Sequence, residues 1–281
     1  MLKILIIQEN GRHEKNVNFR ECWCMHRSLS KLGHTVDVWG MGHNTYEVDP
    51  DWNSYDLIIN LENYDLDNWT PDLSHTTRPK KFLWSIDAHC RTMRPFLQTY
   101  NRGNYDVILQ ATKDFVDENS VWFPNCYDSD LIQPCSVKST FLGFCGSLLN
   151  RKDVLDFLAS KYNLKKDIWL LGQDMVQAVS SYAIHFNINL ANDINYRSFE
   201  TIGCGTALLT NYNPQYEDLG FIDGENCLMY KDIDDMCSKL DMCYNDPKLV
   251  SSISKKGLEL AKKHTYDVRA KKLINIYEGL L

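Results

Sequence analysis

No stretch of this 281-residue sequence holds the roughly 18–20 consecutive apolar residues that a bilayer-spanning helix needs. The opening MLKILIIQENG reads as a strand and not as a signal peptide. The expectation is therefore a chain without a membrane partner, working in a cytoplasm (a bacterium's, or a host's for a viral chain). A Cys-x-x-Cys motif is also missing: the ten cysteines are scattered, and the nearest pair is Cys22 and Cys24. That spacing offers no zinc or redox motif, so the thiols are expected to be reduced and to act as small apolar side chains. Basic excess is absent too. With 30 Lys and Arg against 37 Asp and Glu, the net charge of −7 argues against a broad nucleic-acid footprint and leaves room only for a local basic cleft. No Gly-x-Gly-x-x-Gly follows the first apolar run, which excludes the dinucleotide fingerprint. No internal repeat or low-complexity segment occurs.

What the sequence does contain is an alternation of strand-like and helix-like segments. KILIIQE opens the chain, and FRECWCMHRSLSKLG then places Phe19, Cys22, Trp23, Leu29 and Leu32 near helical spacing, closed by Gly33. HTVDVWG is the next strand, and this strand–helix–strand order implies a parallel pair with a right-handed crossover. YDLIINLE, KKFLWSIDAH, YDVILQAT and SVWFPN continue the pattern as apolar runs covered on both faces. Pro124 and Pro134 interrupt it. It then restarts with TFLGFCGS, the helix RKDVLDFLASKYN, DIWLLGQD, AIHFNINL and CLMYKD. We expect an α/β protein of two Rossmann-like parallel-sheet domains, residues 1–138 and 139–264, with a terminal helix at 265–281 packing back toward the first. Each domain is then of the usual size, about 130–150 residues. Ligand in such proteins lies outside the carboxyl ends of the strands, here in a cleft between the domains.

The residues just after each strand are therefore the candidates. In INYRSFETIGCGTALLT a helix begins near Asn195, where unpaired N–H groups and the positive dipole end suit a phosphate. Arg197 adds a charged fork, and Glu200 can accept hydrogen bonds from vicinal hydroxyls, as a carboxylate does in reading a ribose. The competing reading is a surface Arg–Glu pair at i, i+3. In FCGSLLNRKDVLDF a strand ends at Gly146-Ser147, and Arg151 and Lys152 open a helix. Two cations there oppose the dipole unless an anion compensates them. In FLWSIDAHCRTMR, Asp87 and His89 follow a strand, which suits proton abstraction or sugar-hydroxyl binding; the alternative for Asp87 is a helix cap. Gly11, Arg12 and His13 lie in the loop after the first strand and would line the acceptor side. Three Asp-x-Asp triplets, Asp65–Asp67, Asp128–Asp130 and Asp232–Asp234, are set aside as chance in an Asp-rich chain, and no metal is expected.

With those residues in order, the chain resembles GT-B glycosyltransferases, and among them the CgeB-like, group-1 family. The resemblance rests on FCGS…RK, NYRSFETIGCGTALLTNY, FIDGENCLMYKDIDDM and AKKHTYDVRAKKLI, and extends more weakly to QENGRHE, LWSIDAH and WFPNCYD. It implies a nucleotide-sugar co-substrate, a UDP-sugar by the family's habit, with no other cofactor. By position, Glu200 matches the last glutamate of the family's E-x7-E motif, on the ribose. Arg197 and the Ser198 backbone would approach the diphosphate. Arg151 and Lys152 match the pair that neutralises the leaving phosphate, with Gly146 and Ser147 beside them, and Asp87 or His89 matches the acceptor-side polar residue. One departure stands out: eight residues before Glu200 is Asn192, where retaining members often carry an acid. The family reading gives a metal-independent transferase whose domains close over the cleft, with Asp87 as base if the reaction inverts. Its acceptor is a soluble glycan, a protein, or a hydroxymethylated pyrimidine in DNA, the last with Arg12, Arg20, Arg78, Lys80, Lys81, Arg91, Arg94 and Arg102 as a basic face. The rival is a catalytically inactive nucleotide-sugar-binding protein of the same fold.

Overall fold

The computed structural model describes residues 1–11, 13–135 and 137–280, with the backbone alone at Arg94 and Pro95. The chain forms two compact units, Met1–Pro124 with Tyr266–Leu281, and Asn125–Thr265.

In the first unit, β1 (Lys3–Ile7) leads to α1 (Glu21–Lys31), β2 (Thr35–Trp39), β3 (Leu57–Leu61), β4 (Lys80–Ser85), α2 (Arg94–Asn101), β5 (Val107–Gln110) and β6 (Ser120–Trp122). The sheet order is β2-β1-β3-β4-β5-β6, and every pair is parallel. β1, β3 and β4 occupy its middle and are almost continuously buried, which is why their sequences are mostly apolar, with Asn60, Lys81 and Ser85 as buried polar exceptions. Gln8, just past β1, accepts from Cys22 N–H at 2.9 Å and donates to Glu21 at 2.7 Å. It thereby satisfies the start of α1, where Arg20 supplies no side-chain cap.

The second unit runs β7 (Thr140–Gly146), α3 (Lys152–Tyr162), β8 (Lys165–Ile168), α4 (Gly172–Ser181), β9 (Tyr182–Phe186), α5 (Tyr196–Gly203), β10 (Ala207–Asn211), α6 (Gln215–Asp218), β11 (Leu228–Tyr230), α7 (Ile233–Asn245) and α8 (Pro247–Ala261). Its five strands are parallel in the order β11-β10-β9-β7-β8. The chain then returns to the first unit as α9 (Tyr266–Glu278), where Asp267 accepts from Ser28 at 2.6 Å and pairs with Lys31 at 3.1 Å on α1.

Two boundaries differ from the sequence expectation. The units divide at Pro124 and not near Lys138, because the intervening segment is tied into the second unit. Asn125 donates to the Ile194 carbonyl at 3.0 Å, and Lys138 donates to Ser180 O at 2.8 Å and Thr206 Oγ1 at 2.9 Å. The strand expected in DIWLLGQD is instead Lys165–Ile168, pairing Gly143 to Gly146 of β7, and Trp169 ends it in the left-handed region at φ 59°.

Gly143 in mid β7 shows how close the packing is. A Cβ there would lie 2.4 Å from the ring of Tyr182, which crosses β7 to donate its hydroxyl to Asp167 at the end of β8. Gly143→Ala should therefore destabilise the protein by about 1–3 kcal/mol, read as a lowered urea midpoint with an unchanged slope.

Candidate active site

The carboxyl ends of β7 and β9, neighbours in the second sheet, gather the donor-side candidates. Gly146 ends β7 and Ser147 follows it, both half-buried. Arg151 occupies the N-cap position of α3, and its guanidinium turns back over this edge. It reaches Ser147 Oγ at 3.2 Å, Ser147 O at 3.4 Å and Ile188 O, past the end of β9, at 3.3 Å. All three partners are neutral oxygens. No carboxylate lies within 4.0 Å of it among the described residues, and its Nε is buried without a partner. Burial lowers its pKa, an effect that Asp193 opposes from a distance. A half-desolvated cation held by carbonyls is a poor arrangement for stability alone and a good one for receiving an anion.

Lys152 does not join it. The Lys152 ammonium is 72% exposed and pairs along the helix with Asp156, which also binds Lys166 at 2.7 Å. The helix-start rule that Lys152 breaks in the sequence is repaired by that carboxylate, without a ligand.

Arg197 and Glu200 form an ion pair at 2.9 Å on α5, with side chains about one-fifth exposed. Cys145 of β7 and Tyr182 and His185 of β9 are close enough to interact electrostatically with Arg197. The pair thus lies over the same two strands that Arg151 crosses. His185 is fully buried between Thr201 Oγ1 at 2.7 Å and the Cys145 N–H at 3.2 Å. Burial, reinforced by Arg197, keeps this imidazole neutral by lowering its pKa well below the usual value. The Ser198 side chain is buried in the core of the loop and its N–H is already donated to Asn195 O at 3.2 Å. Asn192 is exposed, and its carbonyl accepts from Gln215 at 3.1 Å.

The sequence reading missed what shapes this loop. Asn187 donates to Asn195 Oδ1 at 3.1 Å and Ser198 Oγ at 3.0 Å; Asn189 donates to the Tyr216 hydroxyl at 2.9 Å and takes the Asn195 N–H at 3.2 Å. Ser198 and Tyr216 meet at 2.7 Å. These side chains lock the backbone between β9 and α5, so the Ile188 carbonyl that holds Arg151 is fixed. The signal was visible as the asparagine run in NINLANDIN. Trp169 was missed as well: it follows β8 with 69% of its surface exposed and a left-handed backbone that a bulky side chain rarely adopts. Its N–H donates to Gly146 O at 3.3 Å, placing it beside the same edge.

In the first unit, the ends of β1, β3 and β4 are adjacent and carry Gly11 and His13, Glu62, and Asp87 with His89, respectively. Asp87 is exposed and precedes the short 3-10 turn Ala88–Cys90, yet its side chain makes no cap hydrogen bond to it. His89 is exposed in that turn, His13 is exposed, Gly11 is half-buried, and Arg12 lies outside the described residues. The basic face expected here is largely neutralised. Arg20 pairs with Glu9 and Glu21, Arg78 with Asp56, Lys80 with Asp106 and Arg102 with Asp65; Lys81 is buried. Arg91 bonds Tyr100 at 2.9 Å and stacks on Phe115, and the side chain of Arg94 lies outside the described residues. Each Asp-x-Asp triplet spends a carboxylate on backbone amides: Asp65 on Trp69 and Thr70, Asp128 on Asp130 and Leu131, Asp232 on Asp235.

Residues 146–275 match the sequence model of a family described as glycosyl transferase-like. No curated protein matches the chain. Among solved structures, sucrose-phosphate synthase from Thermosynechococcus elongatus superposes with a TM-score of 0.67 at 12% identity, over 100% of this chain and 99% of that one. HepE of Anabaena, solved with UDP-glucose, gives 0.63 at 12% identity over 100% of both chains. An α-glucosyltransferase solved with UDP and a 13-mer DNA containing a central A:G mismatch gives 0.69 at 12% identity over 99% of both. The two parallel-sheet units are those of the GT-B fold class. Within that class, residues 146–275 are similar in sequence to the glycosyl transferase-like family.

Proposed function

We propose that the protein is a glycosyltransferase that moves a sugar from a UDP-sugar to an acceptor hydroxyl. The observation that carries this reading is the Arg151 guanidinium, half-buried at the carboxyl ends of β7 and β9 with neutral oxygens as its partners. The match to the glycosyl transferase-like family over this unit supports it, as do similar folds solved with UDP and UDP-glucose. As the sugar leaves, negative charge builds on the diphosphate. The Arg151 guanidinium, already fixed by Ser147 and Ile188, stabilises that charge without reorganising. Glu200, oriented by Arg197, takes the ribose hydroxyls. The reaction is read as metal-independent, as the family resemblance implies; one aspartate of each Asp-x-Asp triplet already caps backbone amides. Trp169 offers its exposed indole to the base. Trp169→Ala should weaken UDP binding by about 1–3 kcal/mol with little change in thermal midpoint, measured by calorimetry and melting on one preparation.

On the acceptor side, Asp87 is the base if the reaction inverts; Asn192 supplies no charge near the sugar, and the anomeric configuration of the product decides between inversion and retention. Incubation with UDP-glucose and other UDP-sugars should release UDP slowly without acceptor and faster with it. Binding without release points to the inactive sugar-nucleotide binder for which Asn192 is the motive, and neither binding nor release removes the proposal.

For the acceptor, the likeness over 99% of both chains to an α-glucosyltransferase solved with DNA supports DNA, and the acceptor hydroxyl is read, as the family resemblance implies, as that of a hydroxymethylated pyrimidine. Because the cations of the first unit are mostly paired, the affinity for such DNA should fall only gently with salt, corresponding to few phosphate contacts. Transfer to soluble glycan or protein and not to modified DNA would replace this acceptor without touching the donor reading.

A further inference from the structure

Glu62 follows β3 and is 8% exposed, yet nothing in the sequence pattern singles it out. Its Oε2 accepts from Ser85 Oγ at 2.8 Å and from the Asp87 N–H at 3.1 Å. Its Oε1 is buried and has no hydrogen-bond partner among the described residues. An ionised carboxylate with one oxygen dry and unpaired is costly, whereas a carboxylic acid places its proton on that oxygen. The charged groups facing it are the Asp87 carboxylate, from the turn after β4, and Arg91, which is held by Tyr100 and Phe115. Burial pushes the Glu62 pKa up and Asp87 adds to the rise, against the opposing pull of the Ser85 and Asp87 hydrogen bonds and of Arg91.

We propose that Glu62 is a protonated positioning residue for Asp87, a neutral acid that receives the Ser85 hydroxyl and the Asp87 N–H on one oxygen and so fixes the turn presenting Asp87. The inference rests on the reading of Asp87 as the base. Ionised, Glu62 would set a second negative charge against Asp87 and loosen the turn. The folded protein binds this proton more tightly than the unfolded chain does. The stability it contributes is therefore present below the ordinary glutamate range and lost as pH rises through the elevated folded value.

Glu62→Gln, neutral at every pH, should lack that loss, so its thermal midpoint should gain on the wild type's as pH rises. Infrared spectra of glutamate-labelled wild type at neutral pH should show a protonated carboxyl band that Glu62→Gln removes. Turnover in Glu62→Gln should stay within about threefold of wild type, because the accepting oxygen is retained. Glu62→Ala should lower kcat by about ten- to a hundredfold with donor KM unchanged. A missing protonated band, or a Glu62→Gln midpoint that tracks the wild type across pH, overturns the proposal. The spectroscopic and thermal readouts need no catalysis, so they separate this failure from failure of the transferase reading. Normal turnover in Asp87→Asn would remove the base assignment and with it the positioning role of Glu62, leaving only its protonated state to the infrared band.

Discussion

Asp87→Asn is expected to lower turnover by about 10²–10⁴-fold while leaving UDP affinity nearly unchanged. Asparagine keeps the shape of aspartate and its hydrogen-bonding reach, but it cannot take the proton released as the acceptor hydroxyl attacks. Asp87 is exposed at the end of β4, and its side chain does not cap the turn that follows. Its backbone N–H, the part that Glu62 holds, survives the change. Steady-state turnover against a calorimetric UDP affinity separates the two effects. Normal turnover would dismiss Asp87 as base and pass the role to His89, exposed two residues on.

Arg151→Ala should act in the opposite sense, on binding first. Truncating one partner of a close charge pair typically costs about 2–4 kcal/mol, or roughly 30- to 1000-fold in affinity. Folding should suffer less, by about 1 kcal/mol or under, because the unliganded guanidinium gains only hydrogen bonds to Ser147 and Ile188 and carries an uncompensated desolvation cost. Lys152→Ala provides the contrast. That ammonium is spent on Asp156 at the protein surface, so UDP affinity should not change. A fall in both variants would mean that the anion is drawn by diffuse charge and not by the Arg151 cradle.

The parallel α/β rhythm was legible because strands covered on both faces are mostly apolar, as in KILII and LIINL. Helix starts with a clear signal were legible too: Asn195 immediately precedes α5, and Asp246 caps α8 through the Lys248 and Leu249 amides. The terminal helix was foreseen as well. Tyr266, Arg269, Ala270, Leu273, Ile274 and Tyr277 face inward, whereas Val268 and Leu280 remain exposed. Arg269 is legible only in the structure: its stem is buried, with Nε donating to the Pro124 carbonyl at 2.7 Å.

At the site, proximity in sequence misled in one place and informed in another. Arg151 and Lys152 are neighbours, but Arg151, the non-helical N-cap, turns over the strand ends while Lys152, the first residue of α3, pairs with Asp156. Arg197 and Glu200, a helical turn apart, do meet. Glu62 and Trp169 stayed invisible because their character comes from tertiary surroundings. Burial with one unpartnered oxygen marks Glu62, and a left-handed backbone beside Gly146 marks Trp169.

The account depends on a diphosphate seated against Arg151 at the carboxyl ends of β7 and β9. Calorimetric titration of UDP into wild type, Arg151→Ala and Lys152→Ala tests this most directly. Saturable binding that Arg151→Ala weakens by at least roughly 30-fold and Lys152→Ala leaves intact is the predicted result. Equal affinity in all three proteins, or no UDP binding by the wild type, would contradict it.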